Sequence, residues 1–191
     1  GDKATFLVSG RFLNQKGLFR YNSDDYDMKN VRARGSIEVF PWLTVEDNID
    51  YSSTNYHNPT NVGEGGGIWR NIADEGKPTM PLTNPDGTLT FASVYTIGDF
   101  MYGKNGIDTR NDVLRNITSL RSKFFNNKFR VNADFTFRNT NNDRYSKRVQ
   151  VPYSNFQGQT AYVGTTTNDL AYDARKTRYW ATNIYAEYEN D

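Results

Sequence analysis

The chain has 191 residues and a net charge of +1, from 23 basic and 22 acidic side chains, and it contains no cysteine. The near-neutral charge removes the electrostatic reason to expect a nucleic-acid partner. The lack of thiols excludes disulfides, thiolate metal sites and a cysteine nucleophile. Only 36% of the residues are hydrophobic, yet 15% are aromatic. Because disordered chains are poor in aromatic side chains, the composition favours a folded protein.

Three β-strands are predicted in the first part of the chain, because apolar and polar residues alternate there with a period of two. They cover about residues 3–14, 28–39 and 43–54. In the second strand, one face is formed by small and apolar residues from Val31 to Val39, and the other includes Arg32, Arg34 and Glu38. The third strand is less regular, because Asp47 lies in phase with its apolar residues.

Between the third and fourth strands, local signals predict a short helix and a turn. Ile68–Glu75 is expected to be helical and to end before Gly76 and Pro78. The segment Asn84-Pro85-Asp86-Gly87 is a strong turn signal, because Pro presets φ and Gly adopts the left-handed region at little cost.

Three further strands are predicted in the second half of the chain. They cover about residues 112–125, 128–139 and 177–189. In the middle one, apolar residues from Phe129 to Phe137 alternate with a polar set that includes Arg130, Asp134 and Arg138. The first of these three strands alternates less cleanly.

Strand length and connection length together predict the architecture. Several strands have about twelve residues, against about 5 to 6 in average globular strands and about 9 to 11 in membrane-crossing ones. Tight connections at Pro41-Trp42 and Asn126-Asn127 alternate with long ones at about residues 15–27, 55–111 and 140–176. Outer-membrane barrels alternate short periplasmic turns and long external loops in this way. The sequence therefore predicts an all-β fold, a segment of an antiparallel transmembrane β-barrel with about six long strands.

The long loops are rich in aromatic residues, which are the candidates for contact with a substrate or a partner protein. Exposed rings are costly unless sugar faces or another protein cover them. The alternative is that the loops fold over one another and bury their own rings. Phe100 belongs to the same group of loop rings, and the contact candidates are Trp69, Phe91, Tyr95, Tyr102, Tyr145, Tyr153, Phe156 and Tyr162.

No residue pattern predicts a catalytic, metal or cofactor site. His57 is the single histidine, so it is interpreted as a solvated loop residue. Asp24, Asp25 and Asp27 lack the spacing of a helix-loop-helix calcium loop, so they are interpreted as a solvated acidic turn. Glu46 and Asp50, with Asp134 nearby, are a weak match to a glycosidase carboxylate pair, because charges of both signs recur along the strands. We expect the protein not to be an enzyme.

Several segments, in chain order, are similar to those of SusC/RagA-type TonB-dependent transporters. The segment Phe12–Leu18, with Val31–Ile37 after a polar loop, resembles the early barrel hairpins of that family. The turn and strand start Pro41–Val45 resemble the next periplasmic turn. The segments Met80–Leu82 with Asn84–Thr88 and Trp180–Glu189 resemble a returning external loop and a later strand.

The resemblance implies import of a large nutrient, a glycan or an oligopeptide, across the outer membrane of a Gram-negative bacterium. It implies TonB, a SusD-like surface lipoprotein and outer-membrane lipid as partners. Neither the charge balance nor any residue pattern predicts a nucleic-acid partner or a cofactor. Members of the family are longer and have a plug domain, for which this chain has no matching segment. The smallest membrane barrels have about eight strands, so a partial barrel is expected here.

In a barrel, the apolar faces contact lipid and the charged faces contact the lumen or the plug domain. The residues expected to face the lumen are Arg32, Arg34, Glu38, Arg130, Asp134 and Arg138. The alternative is a soluble extracellular β-sandwich module that binds carbohydrate and turns the same apolar faces inward. Strand length and the one-sided long loops favour the barrel.

Overall fold

The structure is a computed structural model that describes residues 3–20, 22–60, 68–98, 100, 104–163 and 168–189. For residues 68, 69 and 98 it describes the backbone alone. Antiparallel β-sheet dominates, with 67% of the residues in strands and 8% in helices. The predicted all-β antiparallel class is therefore confirmed.

The described residues form eight strands, six of which make one antiparallel sheet in the order β1-β2-β3-β4-β5-β8. The strands are β1 (Ala4–Lys16), β2 (Asp25–Phe40), β3 (Leu43–Pro59), β4 (Gly106–Phe124), β5 (Phe129–Arg148), β6 (Val151–Tyr153), β7 (Ala161–Val163) and β8 (Asp169–Tyr188). The strands β6 and β7 pair in a separate short ladder. Helix α1 (Ile68–Glu75) has the bounds predicted for it, and helix α2 (Phe91–Ser93) runs into a π-helical turn, Val94–Gly98.

The six sheet strands are longer than predicted, and the added residues lie at the long-loop end, apart from Phe40 of β2. For example, β5 continues to Arg148 and β4 begins at Gly106, inside the ranges that were predicted to be loops. Both faces of these extensions are mostly polar, so the alternation ends while the backbone pairing continues. Tyr145, predicted to be a loop residue, and His57 therefore lie in β5 and β3.

The two tight turns close the opposite end of the sheet. The β2–β3 pairing has a register shift between Glu38 and Phe40. The β4–β5 connection places Phe125, Asn126 and Asn127 at φ values of 52°, 53° and 72°. Asn accepts this left-handed region readily, whereas a bulky residue such as Phe125 is strained in it.

The strand register divides the sheet into two faces. We call face A the face with Val31 and Phe135, and face B the face with Arg32 and Asp134. Directly paired residues of neighbouring antiparallel strands lie on the same face, and the pairing is continuous from β1 to β8. Each hydrogen-bonded row that starts in β1 therefore crosses all six strands with its side chains on one face.

The apolar part of face A is bare. Phe6 is 88% exposed and Ile184 is 68% exposed. Among the described residues, the buried hydrophobic side chains are only those of Val94, Phe100 and Val151, all outside the sheet. No second layer of described residues covers face A, although the sandwich alternative requires one.

The described loop residues pack against each other in a unit that we call the loop cap, residues 68–98, 100 and 149–163. Its core is Val94 and Val151, with Leu89, Tyr153 and Val163 against them. The Asn84 side chain joins its two parts, because Asn84 Nδ2 donates to the Ser154 carbonyl oxygen at 2.9 Å. The long loops therefore meet at one end of the sheet.

Candidate functional site

All six residues predicted to face the lumen lie on face B. Arg32, Arg34 and Glu38 lie in β2, and each pairs directly with an even-numbered residue of β3, which also lies on face B. The other three residues lie in β5, and each pairs directly with face-B residues of β4 and β8. They are Arg130, Asp134 and Arg138. The two-residue period thus brings residues about a hundred positions apart onto one surface.

Near the tight turns, the charged side chains of face B form ion pairs. Arg121 Nη2 lies 2.6 Å from Asp134 Oδ1, and Ser119 Oγ donates to the same oxygen at 2.7 Å. Arg130 Nε lies 3.1 Å from Glu187 Oε2. These charges are matched locally, so this part of face B is stabilised by its own contacts.

At mid-height the charge on face B is unbalanced. Arg32 Nη2 lies 3.0 Å from Asp50 Oδ2, and Arg32 Nε donates to the same oxygen. In the same hydrogen-bonded row, Arg115 and Arg138 are directly paired like charges. Arg115 and Asp50 were not among the predicted lumen residues. Both belong to the strands with blurred alternation, β3 and β4, and β4 has Val113 and Ile117 beside Arg115 on face B.

Three of the predicted contact aromatics come together in the loop cap. The ring centroids of Phe91 and Tyr95 are 5.5 Å apart, and those of Phe91 and Tyr153 are 5.2 Å apart in an edge-on arrangement. Phe91 remains 45% exposed. The packing supports the alternative that the loops bury part of their own ring surface, while Phe91 keeps a ring available for contact.

The other predicted aromatics do not join this cluster. Phe156 and Tyr162 are 70% and 60% exposed at the surface of the loop cap. Tyr145 lies on face A, beyond the apolar residues, where its partner across β5–β8 is Tyr172. Tyr102 and the side chain of Trp69 lie outside the described residues.

The loop cap contains a cavity of about 240 Å³ next to this aromatic cluster. Apolar groups of Leu89, Val151 and Tyr153 line it, together with Lys104 and Ser154. The Asn84–Gly87 turn borders it, with Gly87 at φ 85° as the sequence predicted.

The hydroxyl of Thr88 donates to Asp86 Oδ1 at 2.6 Å and the Thr88 backbone N–H donates to it at 3.0 Å. These two hydrogen bonds lower the pKa of the Asp86 carboxyl, with the hydroxyl as the larger cause. The turn that borders the cavity is therefore stabilised by an ionised carboxylate.

His57 has a partner that the sequence interpretation did not give it. His57 Nδ1 lies 2.6 Å from Asp108 Oδ1, on the directly paired residue of β4. The pair lines a second cavity, of about 300 Å³, on the polar part of face A with Tyr145 and Tyr172. Within the described ranges, no group of three or more His, Asp or Glu side chains is placed to hold a metal ion.

The unexplained Asp47 lies on face A among apolar residues, and two neighbours of β4 hydrogen-bond to it. Asn116 Nδ2 donates to Asp47 Oδ1 at 2.7 Å and Thr118 Oγ1 donates to it at 2.9 Å. We call these three residues the Asp47 cluster. Its carboxylate is therefore partly compensated inside the sheet.

Comparison with known protein families finds no match for the chain, and no curated protein is significantly similar to it. Among the described residues, no helix has the length and hydropathy needed to cross a bilayer.

Proposed function

We propose that the chain is part of the wall of an outer-membrane β-barrel, in a TonB-dependent importer of the SusC/RagA type. In this proposal face A contacts lipid, and face B lines the pathway or contacts a plug domain. The loop cap lies on the external side, where a SusD-like lipoprotein and a glycan or oligopeptide cargo are the partners. The supporting observation is the shape of the apolar surface on face A.

The apolar residues of face A form a band of constant height, which we call the apolar band. In five strands it spans nine positions, and in β4 it spans eleven, which matches the 9 to 11 or so residues of a membrane-crossing strand. Its segments are Ala4–Phe12, Val31–Val39, Leu43–Tyr51, Leu114–Phe124, Phe129–Phe137 and Trp180–Tyr188. A soluble sheet has no reason to keep nearly the same height across all six strands.

The apolar band is also slanted relative to the hydrogen-bonded rows. At one edge of the band, the row that starts at Phe12 of β1 ends at Lys176 of β8, four residues beyond the band edge at Trp180. At the other edge, the row that starts at Ala4 ends at Ile184, four residues before the band edge at Tyr188. Four residues are about 13 Å and five strand spacings are about 24 Å, so the strands tilt by roughly 30° to the normal of the band. Membrane-barrel strands tilt by about 35–45°, so the slant is close to theirs.

The two ends of the apolar band differ as membrane interfaces do. At the tight turns, the rings of Phe40 and Trp42 stack with centroids 5.4 Å apart, and those of Trp42 and Phe124 lie 5.6 Å apart. Aromatic girdles of this kind occur at the interfaces of outer-membrane barrels. Beyond the opposite end, face A becomes charged at residues such as Asp108 and Asp143.

The sheet has two free edges, which a closed barrel would pair. On their outer sides β1 and β8, of 13 and 20 residues, have no partner strand among the described residues. Long unpaired edges promote aggregation unless they are covered or closed. Further strands of a larger barrel are the simplest partners for both edges, as the resemblance to longer transporters implies.

The decisive experiment measures which face of β5 contacts lipid. In a background with Trp42→Phe, Trp69→Phe and Trp180→Phe, a single tryptophan is introduced by Phe135→Trp or by Thr136→Trp. The two positions have the same depth and opposite faces. After refolding into vesicles that contain brominated lipid, we expect strong fluorescence quenching for Phe135→Trp and weak quenching for Thr136→Trp.

Equal, weak quenching at both positions would contradict the barrel proposal. A soluble monomer in detergent-free buffer, with the Phe135→Trp fluorophore shielded from water, would favour the soluble carbohydrate-binding module. The importer class is tested separately, by coexpression with a SusD-like lipoprotein and copurification of the two proteins.

A further inference from the structure

We propose that face B binds an acidic oligosaccharide, through arginines that hold its carboxylate or sulfate groups at mid-height of the sheet. The inference rests on the proposed function, and on the alternative within it in which face B lines the pathway and is not covered by a plug domain. Five arginines occupy three adjacent rows of face B, and we call this set the arginine belt. Its members are Arg11, Arg32, Arg34, Arg115 and Arg138.

The arginine belt has a large local excess of positive charge in a chain that is almost neutral as a whole. Within its three rows of described residues, Asp50 is the only carboxylate, so five positive charges face one negative charge. Asp50 is the direct cross-strand partner of both Arg32 and Arg115, and its carboxylate forms an ion pair with Arg32. No carboxylate among the described residues forms an ion pair with Arg34, Arg115 or Arg138.

The arrangement of Arg115 and Arg138 is unfavourable without an anion. They are directly paired across β4 and β5, and like charges at such positions destabilise a sheet. Closer to the tight turns, by contrast, Arg121 and Arg130 each have a carboxylate partner. The same strands therefore pair their arginines in one zone and leave them unpaired in the next.

The geometry of the unpaired arginines suits a carboxylate or sulfate group. Directly paired residues have Cα atoms about 4.5–5.5 Å apart, so two guanidinium groups on neighbouring strands approach one anionic group together. Each guanidinium presents a planar fork of donors that matches the oxygens of such a group. Arg34 and Arg11 extend the positive surface toward β2 and β1, where a second anionic group of the same chain would bind.

Aromatic rings on face B favour a sugar over other anions. Tyr179 is the direct partner of Arg138 across β5–β8, and it is 55% exposed. Farther toward the loop cap on face B, the rings of Tyr26 and Tyr56 have centroids 6.4 Å apart. Tyrosine rings present an apolar face with a polar edge, which complements a sugar ring, while the arginines complement its acidic substituent.

The test is calorimetric titration of the chain in detergent micelles with trigalacturonate, galactotriose and triglutamate. We expect saturable binding of trigalacturonate that weakens as salt increases, and no binding of galactotriose. The affinity for triglutamate is expected to be lower than that for trigalacturonate by about tenfold or more. Arg115→Gln/Arg138→Gln is expected to weaken trigalacturonate binding by about tenfold or more, because two charged hydrogen-bonding groups are lost. Arg178→Gln, on face A of β8, is the matched control and is expected to bind as the unmodified chain does.

Absence of trigalacturonate binding, or equal affinity in the Arg115→Gln/Arg138→Gln variant, would overturn the inference. Equal affinity for triglutamate would overturn the assignment to a sugar. Circular dichroism of each variant verifies that the sheet is retained, and Arg115→Lys/Arg138→Lys, which keeps the charge, is expected to keep part of the affinity. If the lipid-quenching experiment fails and the chain is soluble, the same titration in buffer still tests the arginine belt on its own.

Discussion

A set of three Ala→Arg substitutions tests the orientation of the sheet most directly. Ala133 lies in the middle of the apolar band in β5, and Ala186 lies near the tight-turn end of the band in β8. Ala181 lies in β8 within the height of the band, but on face B. Because all three changes are Ala→Arg, they add the same side chain and differ only in depth and face.

The expected magnitudes follow from these positions. An arginine on the lipid face of a membrane barrel costs about 2–4 kcal/mol at the midplane and about 0–1 kcal/mol near the interface. Ala133→Arg is therefore expected to lower the free energy of unfolding by about 3 kcal/mol, an equilibrium change of roughly 150-fold. Ala186→Arg is expected to cost about 1 kcal/mol, and Ala181→Arg least, because in the proposed orientation its side chain faces the lumen.

The assay is guanidinium-dependent unfolding of each variant in phospholipid vesicles, followed by tryptophan fluorescence. The order of the midpoints, with Ala133→Arg lowest and Ala181→Arg highest, is the result that supports the orientation. Equal midpoints for Ala133→Arg and Ala181→Arg would refute the reasoning. The reverse order would mean that face B contacts the lipid.

Three further predictions concern single contacts. Asp47→Leu/Asn116→Leu is expected to raise the free energy of unfolding in vesicles by about 1–2 kcal/mol, because it replaces polar groups on the lipid face with apolar ones. A lower free energy of unfolding in the same assay would indicate that another part of the protein, and not lipid, covers the Asp47 cluster. Phe125→Gly is expected to stabilise the β4–β5 turn by about 1 kcal/mol, because it removes a left-handed bulky residue, while Phe124→Gly destabilises it through lost contacts with Trp42 and Phe129; thermal unfolding in detergent distinguishes them. Thr88→Ala is expected to raise the pKa of Asp86 toward its ordinary value, measured by carboxyl NMR. The stabilisation by the ionised Asp86 is present above the unfolded-state pKa and is lost as pH falls through the lower folded-state pKa. The free energy of unfolding of the variant is therefore expected to be lower than that of the unmodified chain at neutral pH and equal to it in strong acid.

The strands were predictable where one face of them is apolar. In Phe129–Phe137 the alternation alone predicts both the strand and its two faces. It gives no signal for the remainder of β5, from Thr140 to Arg148, because polar residues occupy both faces there. The backbone pairing continues through that stretch, which is why Tyr145 was placed in a loop.

The candidate sites were less predictable, because they depend on contacts between distant parts of the chain. Arg115 is brought next to Arg138 only by the β4–β5 register. Val113 and Ile117 lie on the same face of β4 as Arg115, and these apolar residues interrupt the alternation that would identify a polar face from the sequence. Phe91 meets Tyr153 across about sixty residues of sequence, and no local pattern encodes that contact. The pairing of His57 with Asp108 depends in the same way on the extension of β3 and β4.

If the chain is a barrel wall as proposed, the polar extensions of the strands determine how far the loop cap stands from the bilayer. In the proposed orientation, β5 continues for eleven residues between Phe137, at the edge of the apolar band, and Arg148. At about 3.3 Å per residue and a tilt of roughly 30°, this stretch rises by about 30 Å. The cavity beside Phe91 and Tyr153 would then open beyond the headgroups and the innermost saccharides of the outer leaflet. A bulky polymer or a surface protein would reach it without first penetrating that layer.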